Sequence, residues 1–235
     1  EQEGVTVYRP TEMNFVQRGG YYNYCPRDRL LVVGDTVVDC NMQYPCRDME
    51  IEALDFVINS ASRVLQVPRD QKIFFDAANV CRLNDTLLYL VSKSGNRDGA
   101  QWLSDNFPDM TVEVTETYCG MHIDSTFVPV REGLIVVNKD RVSKDTLPKC
   151  FSNWDIIWLG DADLTPKGFT GENLASNYIQ LNFFMINPEL AAIDNTPALK
   201  HALSQHGVKS YTIPFTHSRT LGGGHHCVTL DLHRA

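Results

Sequence analysis

Cys227, His122 and three aspartates, Asp28, Asp76 and Asp124, have side chains able to do covalent chemistry on a cationic substrate. A Cys–His couple supplies a nucleophile and a proton carrier, and carboxylates accept guanidinium N–H groups in pairs. Cys227 follows Gly222-Gly223-Gly224-His225-His226, where glycine lets the backbone approach a ligand. After it, Val228, Leu230 and Leu232 alternate with Thr229 and Asp231 as in a half-buried strand. The thiol is therefore expected where flexible backbone becomes rigid sheet. Each residue alone has a plainer reading. Cysteine is among the most buried residue types, Asp28 and Asp76 can cap turns, and His122 beside Met121 can be an ordinary hydrogen-bonded histidine. The set says more, because His122 and Asp124 are two apart and face the same side of a strand. A metal is the rival use of His122, Asp124, His225, His226 and Cys227. Against it, mixed Cys and Asp ligand sets are uncommon and adjacent His225 and His226 would face opposite sides of a strand.

These residues need a framework, and the periodicities describe one. Val5 to Tyr8 reads as a short strand. Arg29 to Val33 and Thr36 to Cys40 form a hairpin about Gly34-Asp35, and a helix capped by Asp48 is expected to run to Leu65, before Pro68. Ile73 to Phe75 and Thr86 to Val91 are expected strands with a turn at Asn84-Asp85. Asn96 to Phe107 reads as a helix and Thr111 to Thr117 as the next strand. Thr126 to Val130, Leu134 to Asn138 and Trp154 to Leu159 follow as strands, then Tyr178 to Ile186 and Leu190 to Ile193. A helix from Thr196-Pro197 stops at Gly207, ahead of a strand from Tyr211 to Pro214. Hairpin turns near Gly34, Asn84, Glu132 and Asn187 recur roughly every fifty residues. The chain is thus expected to be an α/β repeat folded as one domain, residues 1–235, with modules whose inner ends converge.

Composition narrows the function. Asp and Glu outnumber Lys and Arg by 29 to 21, so the net charge of −8 gives no general attraction for nucleic acid or anionic lipid and suits a cationic small molecule better. Seven cysteines without a CxxC pair suit a reducing compartment rather than a disulfide scaffold. No apolar run approaches the ~20 residues that cross a bilayer. With no basic and apolar leader at Glu1-Gln2-Glu3-Gly4, a cytoplasmic location is expected.

Four linked motifs resemble one family. Cys25-Pro26-Arg27-Asp28 before Leu31-Val32-Val33-Gly34, Phe75-Asp76-Ala77-Ala78, Met121-His122-Ile123-Asp124-Ser125-Thr126-Phe127 and Gly222-Gly223-Gly224-His225-His226-Cys227 are similar, in order, to those of the arginine amidinotransferases. These include the glycine and inosamine-phosphate amidinotransferases and relatives in guanidino-toxin biosynthesis. The resemblance implies a pentein-type α/β propeller of repeated ββαβ modules, and the first module of that ring has no counterpart in this chain. It implies Cys227 as nucleophile, His122 as general acid and base, and Asp76 as the group that orients and charges His122. Asp28 and Asp124 would hold the donor guanidinium, and Arg141 and Ser176 its α-carboxylate and α-amino end. Met121 joins the substrate-binding set. Alone, Arg141 would read as a solvated turn residue.

The implied reaction moves the amidino group of L-arginine to a primary amine through S-amidino-cysteine and releases ornithine. No metal or organic cofactor is called for. The thiolate, disfavoured by the surrounding aspartates, would gain population as arginine binds. The partners implied are small molecules, with no nucleic acid or membrane, and a homodimer is one assembly open to the chain. Alternatives are glycine as acceptor, giving guanidinoacetate, or hydrolysis of arginine by water. The sequence departs from the family pattern at Asn79, where relatives have an acid, and at His225, where an aromatic is common. It departs again at Cys119-Gly120, which borders the acceptor, and in a short Gln66 to Lys72 segment; a guanidino secondary metabolite is the expected product class.

Overall fold

The computed structural model describes residues 3–18, 24–69, 72–118, 120–168 and 174–234. Among these the chain repeats one unit four times: an antiparallel hairpin, a crossover, and a third strand parallel to the second. A parallel pair needs such a crossover because a tight turn can only reverse the chain.

In the first module a single helical turn, α1 (Pro26–Arg29), with proline at its start, feeds β1 (Leu30–Val33). β2 (Thr36–Asp39) returns past Gly34, whose φ of 56° is the left-handed conformation the tight turn needs. The expected helix to Leu65 breaks up. A 3₁₀ segment, Pro45–Leu54, leads to the short α2 (Asp55–Ser60), and β3 (Arg63–Gln66) then pairs with β2. Tyr44, not Asp48, occupies the N-cap position of the 3₁₀ segment. Val64 and Leu65 satisfied a helical spacing, but pairing with Val37 and Val38 decides their conformation.

The second module is β4 (Val80–Arg82), β5 (Thr86–Leu90), α3 (Arg97–Asn106) and β6 (Thr111–Thr115). Its inner strand is Val80–Arg82 rather than Ile73 to Phe75, where only Phe75 makes an isolated bridge, to Gly95. In the third, β7 (Phe127–Arg131), β8 (Leu134–Asn138) and β9 (Asp155–Leu159) are joined by 3₁₀ turns in place of a helix. The fourth has β10 (Phe184–Asn187), β11 (Leu190–Ile193), α4 (Pro197–Gln205) and β12 (Lys209–Thr212). Its inner strand is shorter than the sequence suggested, because Ile179–Leu181 form a 3₁₀ turn. A last turn, α5 (Ser218–Leu221), precedes the loop that carries Cys227. Val5 to Tyr8 is exposed and joins no sheet.

The four sheets stack face to face around a centre, and their middle strands show why. Leu87 and Tyr89 of β5 join a cluster with Leu31, Val38 and Leu103, whereas Leu88 and Leu90 join Phe127, Ile135 and Val137 from the next module. On β8, Val136 likewise faces Phe183, Met185 and Ile193 of the fourth module. Successive residues of a strand point to opposite faces, so each middle strand is buried on both, and β5 and β8 carry apolar runs from Leu87 to Leu90 and from Leu134 to Val137. No helix of the described residues is long and apolar enough to cross a membrane.

One side chain ties a crossover helix to the approach to the site. Asn96 caps α3 by accepting from Gly99 N–H at 2.9 Å, and its amide nitrogen donates to the Lys72 carbonyl at 2.6 Å. Its backbone N–H bonds Phe74 O at 3.1 Å, two residues before Asp76. Asn96→Ala is expected to cost about 1–2 kcal/mol, measured as a lower urea midpoint at unchanged denaturant slope.

Candidate active site

Residues just before the inner strands meet at one end of the ring. Asp28 on α1 precedes β1, Asp76 leads into the 3₁₀ turn Ala77–Asn79 before β4, and His122 and Asp124 precede β7. His122 lies between two carboxylates, with Nε2 3.0 Å from Asp76 Oδ2 and Nδ1 3.7 Å from Asp28 Oδ1. Burial works against the imidazolium. The charge of Asp28 and the hydrogen bond and charge of Asp76 outweigh it, and the His122 pKa is raised to about 9. The other oxygen of Asp28 accepts from Arg47 at 3.0 Å, and Arg47 makes a fork with Glu50 at 2.6 and 2.9 Å. Asp28 Oδ1 and Asp76 Oδ1 are buried and accept no hydrogen bond among the described residues.

The fourth module contributes a residue that the sequence reading missed. Asn182, two positions before β10, accepts through Oδ1 from the N–H groups of Cys227 at 3.0 Å and Gly224 at 3.1 Å. Its Nδ2 donates to Asp124 O at 3.3 Å, and its carbonyl accepts from His226 N–H at 3.2 Å. The available signal was its place before an inner strand, matching Asp28 and Asp124 in their own modules.

The loop held by Asn182 corrects the expected position of the thiol. Residues 228–232 form no strand. Instead Val228 N–H returns to Gly224 O and Thr229 N–H to His226 O, while Arg27 fixes His226 O at 2.8 Å and Asp231 at 3.0 Å. Leu230 and Leu232 pack against the outer face of the first module, in a cluster with Leu30 and Val37. Cys227 is only 3% exposed, so its thiol is buried in a turn rather than set at the junction of a glycine loop and a strand. Gly223 is required there, since a Cβ would fall 2.7 Å from Cys227 Cβ and 2.8 Å from Cys25 Sγ. Cys227 Sγ lies 3.3 Å from Asp124 Oδ2, which also meets His226 Nδ1 at 2.8 Å. Contact with the Cys25 thiol, burial and the charge of Asp124 push the Cys227 thiol well above its ordinary pKa. Asp124 itself is held below the usual carboxylate range: burial opposes this, and His226 and His122 outweigh it.

The remaining expected residues divide. Met121 is placed by its carbonyl, which accepts from Ser92 Oγ at 2.5 Å and Ser94 Oγ at 2.8 Å. Asn79 completes that box, donating to Leu90 O at 2.8 Å and accepting from Ser94 at 2.9 Å. A carboxylate at Asn79 could not make the donation. Arg141 is half-buried, bonded to Ser125 at 2.9 Å and Thr126 at 2.8 Å, with its guanidinium 4.2 Å over the Tyr118 ring. Ser176 is exposed and accepts from Tyr178 N–H at 3.1 Å, and no hydrogen bond joins it to Cys227, His122 or the aspartates among the described residues. His225 is buried against Phe215, ring centroids 4.6 Å apart. Cys119 lies outside the described residues, as do residues 70 and 71 of the short segment.

No protein-family model matches the chain. Its sequence is 37% identical to inosamine-phosphate amidinotransferase 1 of Streptomyces griseus over 266 positions, covering 98% of this chain and 76% of that protein. The solved structure of the Streptomyces griseus inosamine-phosphate amidinotransferase superposes with a TM-score of 0.92 at 36% identity, covering 99% of this chain and 76% of that one. An amidinotransferase of the saxitoxin biosynthetic pathway from Microseira wollei gives 0.92 at 25% identity, over 99% and 79%. The L-arginine:L-lysine amidinotransferase of Pseudomonas savastanoi pv. phaseolicola is 26% identical over all of this chain and 75% of its own length. The four ββαβ-type modules are those of a pentein propeller. With both sequence and backbone shared across about three quarters of the relatives' length, this chain belongs to the amidinotransferase family.

Proposed function

We propose that one catalytic domain, built from all four modules, transfers the amidino group of L-arginine to a primary amine through a covalent intermediate on Cys227. The observation that carries this reading is a pair of buried carboxylate oxygens beside His122, Asp28 Oδ1 and Asp76 Oδ1, that accept no hydrogen bond among the described residues. Buried carboxylate oxygens without donors are costly, and a guanidinium supplies planar donors to meet them.

The geometry then gives each group a task. Entry of the cation offsets the negative field of Asp124 and Asp28 that helps keep the thiol protonated, and Cys227 loses its proton to solvent water. The thiolate attacks the guanidinium carbon, and the imidazolium of His122 gives its proton to the departing nitrogen. Ornithine leaves and an S-amidino group remains on Cys227. The incoming amine attacks that carbon, neutral His122 takes its proton, the C–S bond breaks and the thiolate returns. The carboxylates hold the cation and localise its charge before attack, which supplies orientation and electrostatic stabilisation together. Asn182 fixes the turn that aims the thiol. Arg141, at the rim beside Ser125, is the proposed anchor for the arginine carboxylate, with Ser176 and Met121 in the surrounding binding surface. The relatives' names support a primary amine of specialised metabolism as acceptor, giving a guanidino compound.

Mixing the protein with arginine and no acceptor tests the reading by mass spectrometry: Cys227 should gain one amidino group and free one ornithine. Citrulline and ammonia in place of a guanidino product, when lysine, glycine and inosamine phosphate are each offered, would show a hydrolase. Because Asp28 and Asp76 raise the pKa of His122, rate-limiting transfer to Cys227 should decline above about pH 9 as His122 loses its proton. In Asp28→Asn or Asp76→Asn that alkaline limb should move to lower pH. Asn182→Ala, which strands two N–H groups, should lower kcat at least about tenfold with a smaller change in KM and cost about 1–3 kcal/mol of stability. Steady-state kinetics and urea melts read the two effects separately.

A further inference from the structure

Asp124 carries two contacts on one oxygen. Its Oδ2 lies 3.3 Å from Cys227 Sγ and 2.8 Å from Nδ1 of His226, the residue before the proposed nucleophile. The imidazole and the carboxylate line a cavity of about 580 Å³ that none of Cys227, His122, Asp28 or Asp76 lines. His226 therefore stands outside the cluster around His122, yet shares an acceptor with the thiol.

The backbone fixes where this ring can be. His226 N–H donates to Asn182 O at 3.2 Å, and its carbonyl accepts from Arg27 Nε at 2.8 Å and from Thr229 Oγ1 at 3.0 Å. Groups from the first and fourth modules thus clamp one position of the turn. The tautomer follows from the partner. Asp124 is held below the usual carboxylate range and so is ionised, and an ionised carboxylate only accepts, so His226 Nδ1 carries a proton and donates it. Burial, then the charge of Arg27, lower the His226 pKa, while Asp124 and Asp231 oppose them; neutral or charged, the ring keeps that Nδ1–H. A donated hydrogen bond stabilises the charge on the oxygen that also faces the thiol. Without it, Oδ2 would accept more strongly from the S–H group, and the protonated thiol would be favoured further.

We propose that His226 is a positioning residue for the reaction: its Nδ1–H holds the Asp124 carboxylate in place and tempers its effect on Cys227, so that the thiol ionises when the cation arrives. The assignment rests on Cys227 being the nucleophile of the reaction proposed above. His226 acts through Asp124 and needs no contact with the reacting atoms. This use differs from the metal-ligand role weighed from the sequence.

Three substitutions separate this role from simple packing. His226→Asn puts an amide N–H where Nδ1 stands, His226→Gln puts one where Nε2 stands, and His226→Phe keeps a ring without a donor. Two rates are read near neutral pH: alkylation of Cys227 by iodoacetamide, followed on the Cys227 peptide by mass spectrometry, and single-turnover formation of the amidino adduct from arginine. Both should stay close to wild type in His226→Asn and fall about tenfold in His226→Phe and His226→Gln, the factor one charge-assisted hydrogen bond supplies. A ring that only fills space gives the reverse order, with His226→Phe active and His226→Asn slow. That order, or equal rates in all three variants, overturns the proposal. Should circular dichroism show His226→Phe unfolded, the two amide variants decide alone, because they differ in where the N–H falls. Alkylation needs no arginine, so the two readings fail separately. An adduct that forms at rates indifferent to residue 226 removes the role of His226, whereas the expected order in alkylation with no adduct from arginine removes the reaction.

Discussion

Burying several carboxylates at one point is the constraint on which the rest of this structure turns. Asp28, Asp76 and Asp124 are each at most 6% exposed and lie around one imidazole. Removing that much charge from water is strongly unfavourable unless each group finds a partner. His122 answers Asp76 directly and Asp28 by its charge, His226 answers Asp124, and Arg47 links Asp28 to Glu50. Glu50 shows the strain of the arrangement: burial raises its pKa to about 7 although Arg47 pulls the other way. The cluster holds together while leaving carboxylate oxygens bare, which is the form a site for a cation takes.

The thiol is governed by the same field. Placed against Asp124 and under Gly223, Cys227 is shielded and disfavoured as a thiolate. A thiol kept protonated is protected from side reactions of a permanent thiolate. The ring geometry makes this economical in sequence. Each module needs only one or two polar residues ahead of its inner strand, and the stacking of apolar middle strands brings those positions to a common end.

Asn182 and Asn79 show how neutral amides complete a charged site. Each both accepts and donates at a bend: Asn182 accepts the N–H groups of Cys227 and Gly224 and donates to Asp124 O, and Asn79 accepts the Ser94 hydroxyl and donates to Leu90 O beneath Met121. An acid could accept but not donate in either place. Asn79 is a fully buried part of the backbone scaffold.

The sequence by itself determined the module order, the hairpin turns and helices α3 and α4. Those features rest on local chemistry: glycine and asparagine at turns, proline at a helix start, continuous apolar runs in strands buried on both faces. Tertiary structure decided what depends on partners distant in the chain. Val64 and Leu65 became a strand because β2 offered them a pairing edge, and Ile73 to Phe75 did not because the inner position went to Val80–Arg82. The alternation from Val228 to Leu232 fitted a strand equally well, but Arg27, Asn182 and the first module's outer face supplied other partners, and the chain turned instead. Burial of Cys227 and the role of Asn182 lay beyond local reading for the same reason. Both are set by contacts between the fourth module and a loop more than forty residues later.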